Sequence, residues 1–235
     1  MNKWLIRILI ISLISIFLIK FVWASIPERW IYGQETGELI FSLATSFVAA
    51  FIFYLIDIWM PYKKNKKAVN GRISRPISMI LLNVKTPIQS VIEHVGGSKI
   101  NSQQFESITS EELESCLKVL DIKNEISPLY FFDMKRNASF LEYFVYLKNK
   151  TNKYIKQIND LSNLDLELII ILDEIRNSNF HERLEVIETF GNSISYQFKG
   201  DSVINIMQEY YELYFKLFDY ANSNKIEITN SSLKE

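Results

Sequence analysis

The sequence predicts an all-α protein, in which an N-terminal transmembrane hairpin of two helices precedes a helical cytoplasmic domain. Residues 39–56 form an apolar run without a charged side chain. All four tryptophans lie in the first quarter of the 235 residues, and the later apolar segments show the spacing of amphipathic helices instead. The single cysteine, Cys116, excludes an internal disulfide and suits a reducing compartment for the C-terminal part.

The first predicted transmembrane helix covers about residues 4–23. Its apolar centre is flanked by Arg7 and Lys20, whose long side chains can reach the bilayer surface. A cleaved signal peptide is the alternative, because Lys3 and Arg7 form a basic start and Val22-Trp23-Ala24 offers small residues for cleavage. Lys20 interrupts the region before that site, which favours an uncleaved anchor.

The second predicted transmembrane helix covers about residues 38–59. The uncharged run alone would span roughly 27 Å, which is close to the hydrocarbon thickness of a bilayer. Trp59 and Tyr62 are suited to the headgroup layer, and Pro61 is expected to end or kink the helix. A buried helix of a soluble protein is the alternative, although such helices rarely lack a polar face over this length.

Charge asymmetry predicts the topology. The loop between the two helices carries one arginine and three glutamates, whereas a basic cluster follows the second helix. The positive-inside rule therefore places both ends of the chain in the cytoplasm of a bacterium, with residues 1–62 as a multi-pass anchor in the inner membrane. The predicted membrane-anchor residues are Lys63, Lys64, Lys66 and Lys67.

The cytoplasmic part is predicted to begin with a basic juxtamembrane helix or linker, residues 63–97, broken at Pro76 and Pro87. A helical sensor domain follows over residues 98–235. Its predicted helices cover about 137–160, 165–177 and 201–222, with another that begins after Ser110 as its N-cap. Residues 127–133, SPLYFFD, are expected to be a connector, and residues 188–200 a loop rather than a short hairpin.

Catalytic chemistry finds no support in the sequence. His181 begins a zinc-helix-like HERLE segment, but no second histidine follows at the fifth position. Phosphate-binding glycine loops and nucleophile elbows are also missing from the sequence. We therefore expect neither an enzyme nor a cofactor or metal site. The formal net charge of −1 gives no overall attraction to nucleic acid.

One side of the second helix carries small and polar residues at steps of three or four, while Phe51 is expected on the opposite, lipid-facing side. Such a stripe is either a seam for helix packing or the lining of an oligomeric pore, whose terminal carboxylates would favour cations. The candidate pore-lining residues are Glu38, Ser42, Thr45, Ala49, Phe53 and Asp57.

A second candidate site is a basic and aromatic face on the helix over 137–160. Lysines can neutralise phosphate and tyrosine rings can stack on unpaired bases, so the face suits a nucleotide or single-stranded oligonucleotide. A solvated helix surface, or pairing with acidic residues of another helix, is the alternative. Lys148 and Lys156 belong to the same lysine cluster. The candidate ligand-binding residues are Tyr143, Tyr146, Lys150, Lys153 and Tyr154.

This layout, with the hairpin segment FVAAFIFYLIDIWMPYKKNKK preceding a helical domain, resembles the small two-helix membrane effectors of bacterial anti-phage systems. Among them it is most similar to the channel subunit of the Hailong system. The resemblance implies a homotetramer gated by single-stranded oligodeoxyadenylate, which a partner nucleotidyltransferase makes. The function expected is an ion-conducting effector of phage defence. A membrane-anchored scaffold without channel activity is the alternative, and an enzyme on a membrane tether is a third.

Overall fold

The computed structural model describes residues 3–22, 33–190 and 201–228, and the chain divides into two compact units, Met1–Ala68 and Val69–Glu235. The protein is mostly helical, which agrees with the predicted all-α class. The expectations for the loop between the first two helices fall largely on residues 23–32, and those for a loop over 188–200 fall largely on residues 191–200. Both of these segments lie outside the described residues.

The first unit contains two long apolar helices. Helix α1 is Lys3–Phe17, continued by a π-helical turn, Leu18–Val22, and α2 is Gly33–Tyr54, continued by a second π-helical turn, Leu55–Trp59. Both are long and apolar enough to cross a membrane, and only 6% and 11% of their most apolar windows are buried within the protein. A core helix would hide its apolar side chains, so these helices do not have the burial of a soluble core.

Small residues mark the contact between α1 and α2. Ser12 of α1 and Ala44 of α2 are buried, and a Cβ atom added to Gly37 would lie 3.9 Å from Cγ2 of Ile19. Residues of this size allow helix backbones to approach closely in an apolar environment. The two helices therefore form the predicted hairpin pair.

Helix α3, Met60–Gly96, shows that the expected end of the second span at Pro61 is wrong. The N–H of Met60 bonds the carbonyl of Leu55, which is the wider i to i−5 spacing of a π turn. Pro61 then occupies the first turn of α3, where its missing N–H costs little. The chain therefore continues as helix beyond Pro61.

The expected breaks of α3 at Pro76 and Pro87 are also wrong, since both residues lie inside the helix. Seven apolar side chains of α3 are buried, at positions 73, 77, 80, 81, 84, 88 and 91. Each buried aliphatic side chain stabilises by about 1.5–3 kcal/mol, and each interior proline costs about 3 kcal/mol, so packing outweighs both prolines. The predicted segment 63–97 therefore divides between the two units, and its larger part is core.

The second unit continues with α4 (Ser102–Glu106) and α5 (Ser110–Val119). Helix α5 has a capping box in which Thr109, rather than the expected Ser110, accepts the N–H of Glu112. After the strands come α6 (Phe140–Asn159), α7 (Leu166–Arg176), α8 (Asn179–Phe190) and α9 (Asp201–Ser223). Helices α6, α7 and α9 match the predicted helices closely, because their apolar spacing and caps agree.

The predicted connector at 127–133 is wrong, because it forms most of a β-strand. Strand β1 (Ile126–Phe131) pairs antiparallel with β2 (Arg136–Ser139), with Phe131 opposite Arg136. The N–H of Lys135 bonds the carbonyl of Phe132 and closes the turn, while Lys135 itself has φ 51°. The strand was not predicted because Pro128 interrupts β1 and the sequence of β2, RNAS, lacks strand-forming residues.

The core of the second unit is rich in aromatic side chains. Phe140 and Phe144 of α6 are fully buried, and the rings of Phe144 and Phe180 lie 5.6 Å apart. Phe180 in turn lies 4.5 Å from the ring of Tyr210 on α9. Cys116 of α5 is also buried, and burial raises the pKa of its thiol.

Candidate functional site

All six residues of the predicted stripe on α2 are exposed in the single chain. At about 100° per residue, most of them fall on one third of the helix surface. Phe53 is the most prominent, with 67% of its surface exposed. The stripe is therefore available for contacts outside the single chain.

The buried side of α2 lies away from the stripe. Gly37, Ala44 and Phe51 are its buried residues and lie roughly 150° around the helix from the mean direction of the stripe. Phe51, expected to face lipid, is only 6% exposed and stacks near Phe47 and Tyr54, so that expectation is wrong. The contact with α1 thus leaves the stripe uncovered.

The chemistry of the stripe changes along its length. Glu38 lies near one end and Asp57 near the other, about 28 Å apart along an ideal helix. Between them the hydroxyl of Thr45 donates to the carbonyl of Phe41 at 2.7 Å, so that its proton is satisfied within the helix. Carboxylates at the ends and small groups between them suit a lining that concentrates cations and lets helices approach.

The four predicted anchor lysines begin α3 and are exposed. The Nζ of Lys63 lies 4.9 Å from the ring centre of Trp59, which combines a cation with an aromatic ring typical of the membrane interface. The residue types and their exposure are those that the anchor prediction needs.

The predicted ligand face on α6 has an exposed centre. Nζ of Lys150 lies 5.3 Å from the ring centre of Tyr146, and Lys153 follows one turn along the same side. Both lysines are exposed, and among the residues that the structure describes neither has an ion-pair partner. This centre could therefore accept an anionic ligand.

The two remaining tyrosines of the face lie at its edges. Tyr143 and Tyr154 are half-buried and pack against the hydrophobic core. Burial, with a smaller contribution from Tyr146 and Glu93, raises the pKa of Tyr143 to about 12. Their rings support the helix more than they offer a free stacking surface, so the exposed face is narrower than the sequence predicted.

Lys148 departs from the predicted basic cluster because it is buried. Its Nζ donates to Oε2 of Glu188 on α8 at 2.8 Å, and this bond holds the pKa of Glu188 below its usual range. The signal for this pair was present in the sequence: Lys148 follows Phe144 by four residues and precedes Ile155 by seven. That spacing places it on the apolar side of α6.

His181, the start of the zinc-helix-like segment, is a core residue of α8. Its Nε2 lies 2.9 Å from the hydroxyl of Tyr210, with which it shares a hydrogen bond. Burial, reinforced by the positive charge of Lys148, lowers the pKa of His181 to about 4. The imidazole is therefore neutral at physiological pH and serves packing and hydrogen bonding.

No protein-family model matches the chain, and neither a curated protein nor a solved structure matches it.

Proposed function

We propose that this protein is an oligomeric membrane effector of bacterial anti-phage defence, which conducts ions through a pore formed by α2. The helices α1 and α2 would cross the inner membrane, with both ends of the chain in the cytoplasm. A nucleotide or single-stranded oligonucleotide, made by a partner nucleotidyltransferase, would bind the face of α6 and control the pore. A homotetramer follows only from the resemblance to the Hailong channel subunit.

The exposed stripe on α2 is the observation that supports this proposal. A helix that only anchors a protein gains nothing from small and polar residues on a lipid-facing side. Several copies could turn these stripes inward and remove them from lipid. The ring of Phe53, with two thirds of its surface exposed, could then close the pore by excluding water.

The proposal depends on the predicted topology, which cysteine labelling can test in intact cells. An impermeant thiol reagent should label a cysteine placed at Gln34 and leave one at Asn65 unlabelled, since the charge asymmetry puts these residues on opposite sides of the membrane. Native Cys116 is buried and gives little background. Labelling at Asn65 in intact cells would contradict the topology.

Ion flux from vesicles that contain the purified full chain tests conduction. Phe53→Ala should increase flux without any ligand, because it removes the proposed gate, and Asp57→Asn should reduce cation preference while leaving assembly intact. Leu43→Ala is the matched control. Leu43 is 64% exposed and lies roughly 110° around α2 from the stripe, so the same kind of truncation should leave flux unchanged.

Vesicles that stay silent with wild type and Phe53→Ala, in the presence of single-stranded oligonucleotides and mononucleotides, would contradict the pore. The stripe would then be a packing seam, and the membrane-anchored scaffold would be the better assignment.

A further inference from the structure

Strand β1 presents an apolar row on its outer side. Ser127 is buried, whereas the neighbouring alternate residues point outward and are exposed. Phe132, directly after the strand, is 83% exposed, and its ring packs edge-on against Tyr130 at 5.1 Å. We call this set the outer row: Ile126, Pro128, Tyr130, Phe132 and Met134.

The outer row reverses the usual pattern of a half-exposed sheet, in which polar residues alternate outward. The sheet also has only two strands, and such a ribbon is marginally stable by itself. Contiguous apolar side chains at the surface commonly mark an interaction site. The outer row therefore needs an occupant that would cover it.

We propose that the outer row is an interface with a second copy of this chain. The inference rests on the oligomer of the proposed function, since copies joined through α2 would hold their second units at high effective concentration. The row exposes apolar area on the order of 500 Å², less than the roughly 800 Å² per partner of a stable interface between free proteins. A surface of that size suits partners that are already held together.

Position within the second unit favours a neighbouring copy over lipid. The base of the hairpin adjoins the C-terminal end of α3, where Nε2 of His94 contacts Oε2 of Glu125 at 2.5 Å. The ring of His94 also lies 5.1 Å from that of Phe140, the residue after β2. Val69, where this unit begins, lies about 38 Å away along α3. The outer row is thus remote from the point that ties the unit to the candidate membrane spans.

Nitroxide labels on the full chain in vesicles of phosphatidylethanolamine and phosphatidylglycerol can test this interface. In a Cys116→Ala background, the label is placed at Asn137→Cys, which pairs with Tyr130 across the hairpin and leaves the outer row intact. Dipolar coupling between copies is expected at this position. Ser162→Cys, an exposed site after α6, is the control position and should show none.

Two further variants link the coupling to the outer row. Phe132→Asp should abolish coupling at position 137, whereas Leu166→Asp, which changes an equally apolar and exposed residue of α7, should preserve it. Because both side chains are exposed, neither change should unfold the unit. Coupling that survives Phe132→Asp would overturn the inference.

A label at Ala49→Cys on α2 separates this inference from the proposed function. Coupling at position 49 without coupling at 137 would overturn the outer-row interface alone. Coupling at 137 without coupling at 49 would support the interface and contradict the stripe. An uncoupled label at 137 that oxygen reaches better than an aqueous nickel complex would assign the outer row to lipid and also overturn the inference.

Discussion

Helices α2 and α3 follow one another in the chain but place their apolar side chains in opposite surroundings. Phe53 of α2 is 67% exposed, whereas Ile77 of α3 is fully buried. Helix α2 is apolar on nearly all sides, while the buried residues of α3 recur at steps of three and four. The distribution of apolar residues around a helix, rather than their number, therefore distinguishes a helix built for lipid from one built for a protein core.

The largest expected effect separates these two surroundings by the same substitution. Phe144→Ala should lower the free energy of unfolding of the second unit by about 3–5 kcal/mol, because it leaves a cavity among aromatic rings. Phe53→Ala should leave that unfolding free energy unchanged. Denaturant unfolding of the full chain in detergent, followed by circular dichroism, measures both. Equal effects would contradict the difference in burial.

Acidification should weaken the core of the second unit through His181. Its pKa falls from 6.5 in the unfolded chain to about 4 in the folded protein, so between these values the unfolded state binds more protons. Stability is therefore complete above pH 6.5 and decreases as the pH falls toward 4, by up to about 3 kcal/mol. Unfolding midpoints measured across this range test the effect. His181→Gln should flatten the dependence, and an unchanged slope would contradict it.

The pair of Lys148 and Glu188 should show a smaller, asymmetric response. Glu188→Gln leaves a buried ammonium without its carboxylate and should cost about 1–2 kcal/mol, discounted because Glu188 is 46% exposed. Lys148→Met removes the buried charge itself and should cost less. Denaturation midpoints of both variants decide the order. A larger loss for Lys148→Met would indicate that the lysine stem, rather than its charge, matters.

The exposed side of α6 should tolerate charge reversal without loss of stability. Lys150→Glu combined with Lys153→Glu should abolish binding of a single-stranded oligonucleotide while helicity is retained. Conservative replacement of both by glutamine should reduce the salt slope of log K by about 1.4, if each lysine contacts one phosphate. Lys99→Glu with Lys123→Glu is the matched control for charge. Equal binding by all variants would identify a solvated surface.

The sequence predicted those parts of the fold in which one local signal dominates. The apolar run of α2 and the capped, periodic helices α6, α7 and α9 were predictable because spacing and end residues agree. The path of α3 through Pro76 and Pro87 was not, because packing from distant segments stabilises it. The hairpin of β1 and β2 was missed for a related reason: its apolar outer row does not show the polar alternation of an ordinary half-buried strand.

The candidate sites were predictable in composition but less so in extent. Helical spacing placed the α2 stripe on one side, and the structure adds that the α1 contact leaves that side open. Spacing also collected the residues of the α6 face. Burial of Lys148 and partial burial of Tyr143 depend on α8 and the surrounding core, and these long-range contacts cannot be derived from the pattern of α6 alone.

The confinement of tryptophan to the first unit gives the molecule two separate optical reporters. Trp4, Trp23, Trp30 and Trp59 all precede Val69, while the second unit contains tyrosine and phenylalanine but no tryptophan. Light absorbed near 295 nm, in the range of roughly 290–300 nm that selects indole over phenol, therefore excites only the unit with the candidate membrane spans. Quenchers dissolved in lipid should dim this emission, and the tyrosine near-ultraviolet dichroism of the aromatic core should report unfolding of the second unit independently.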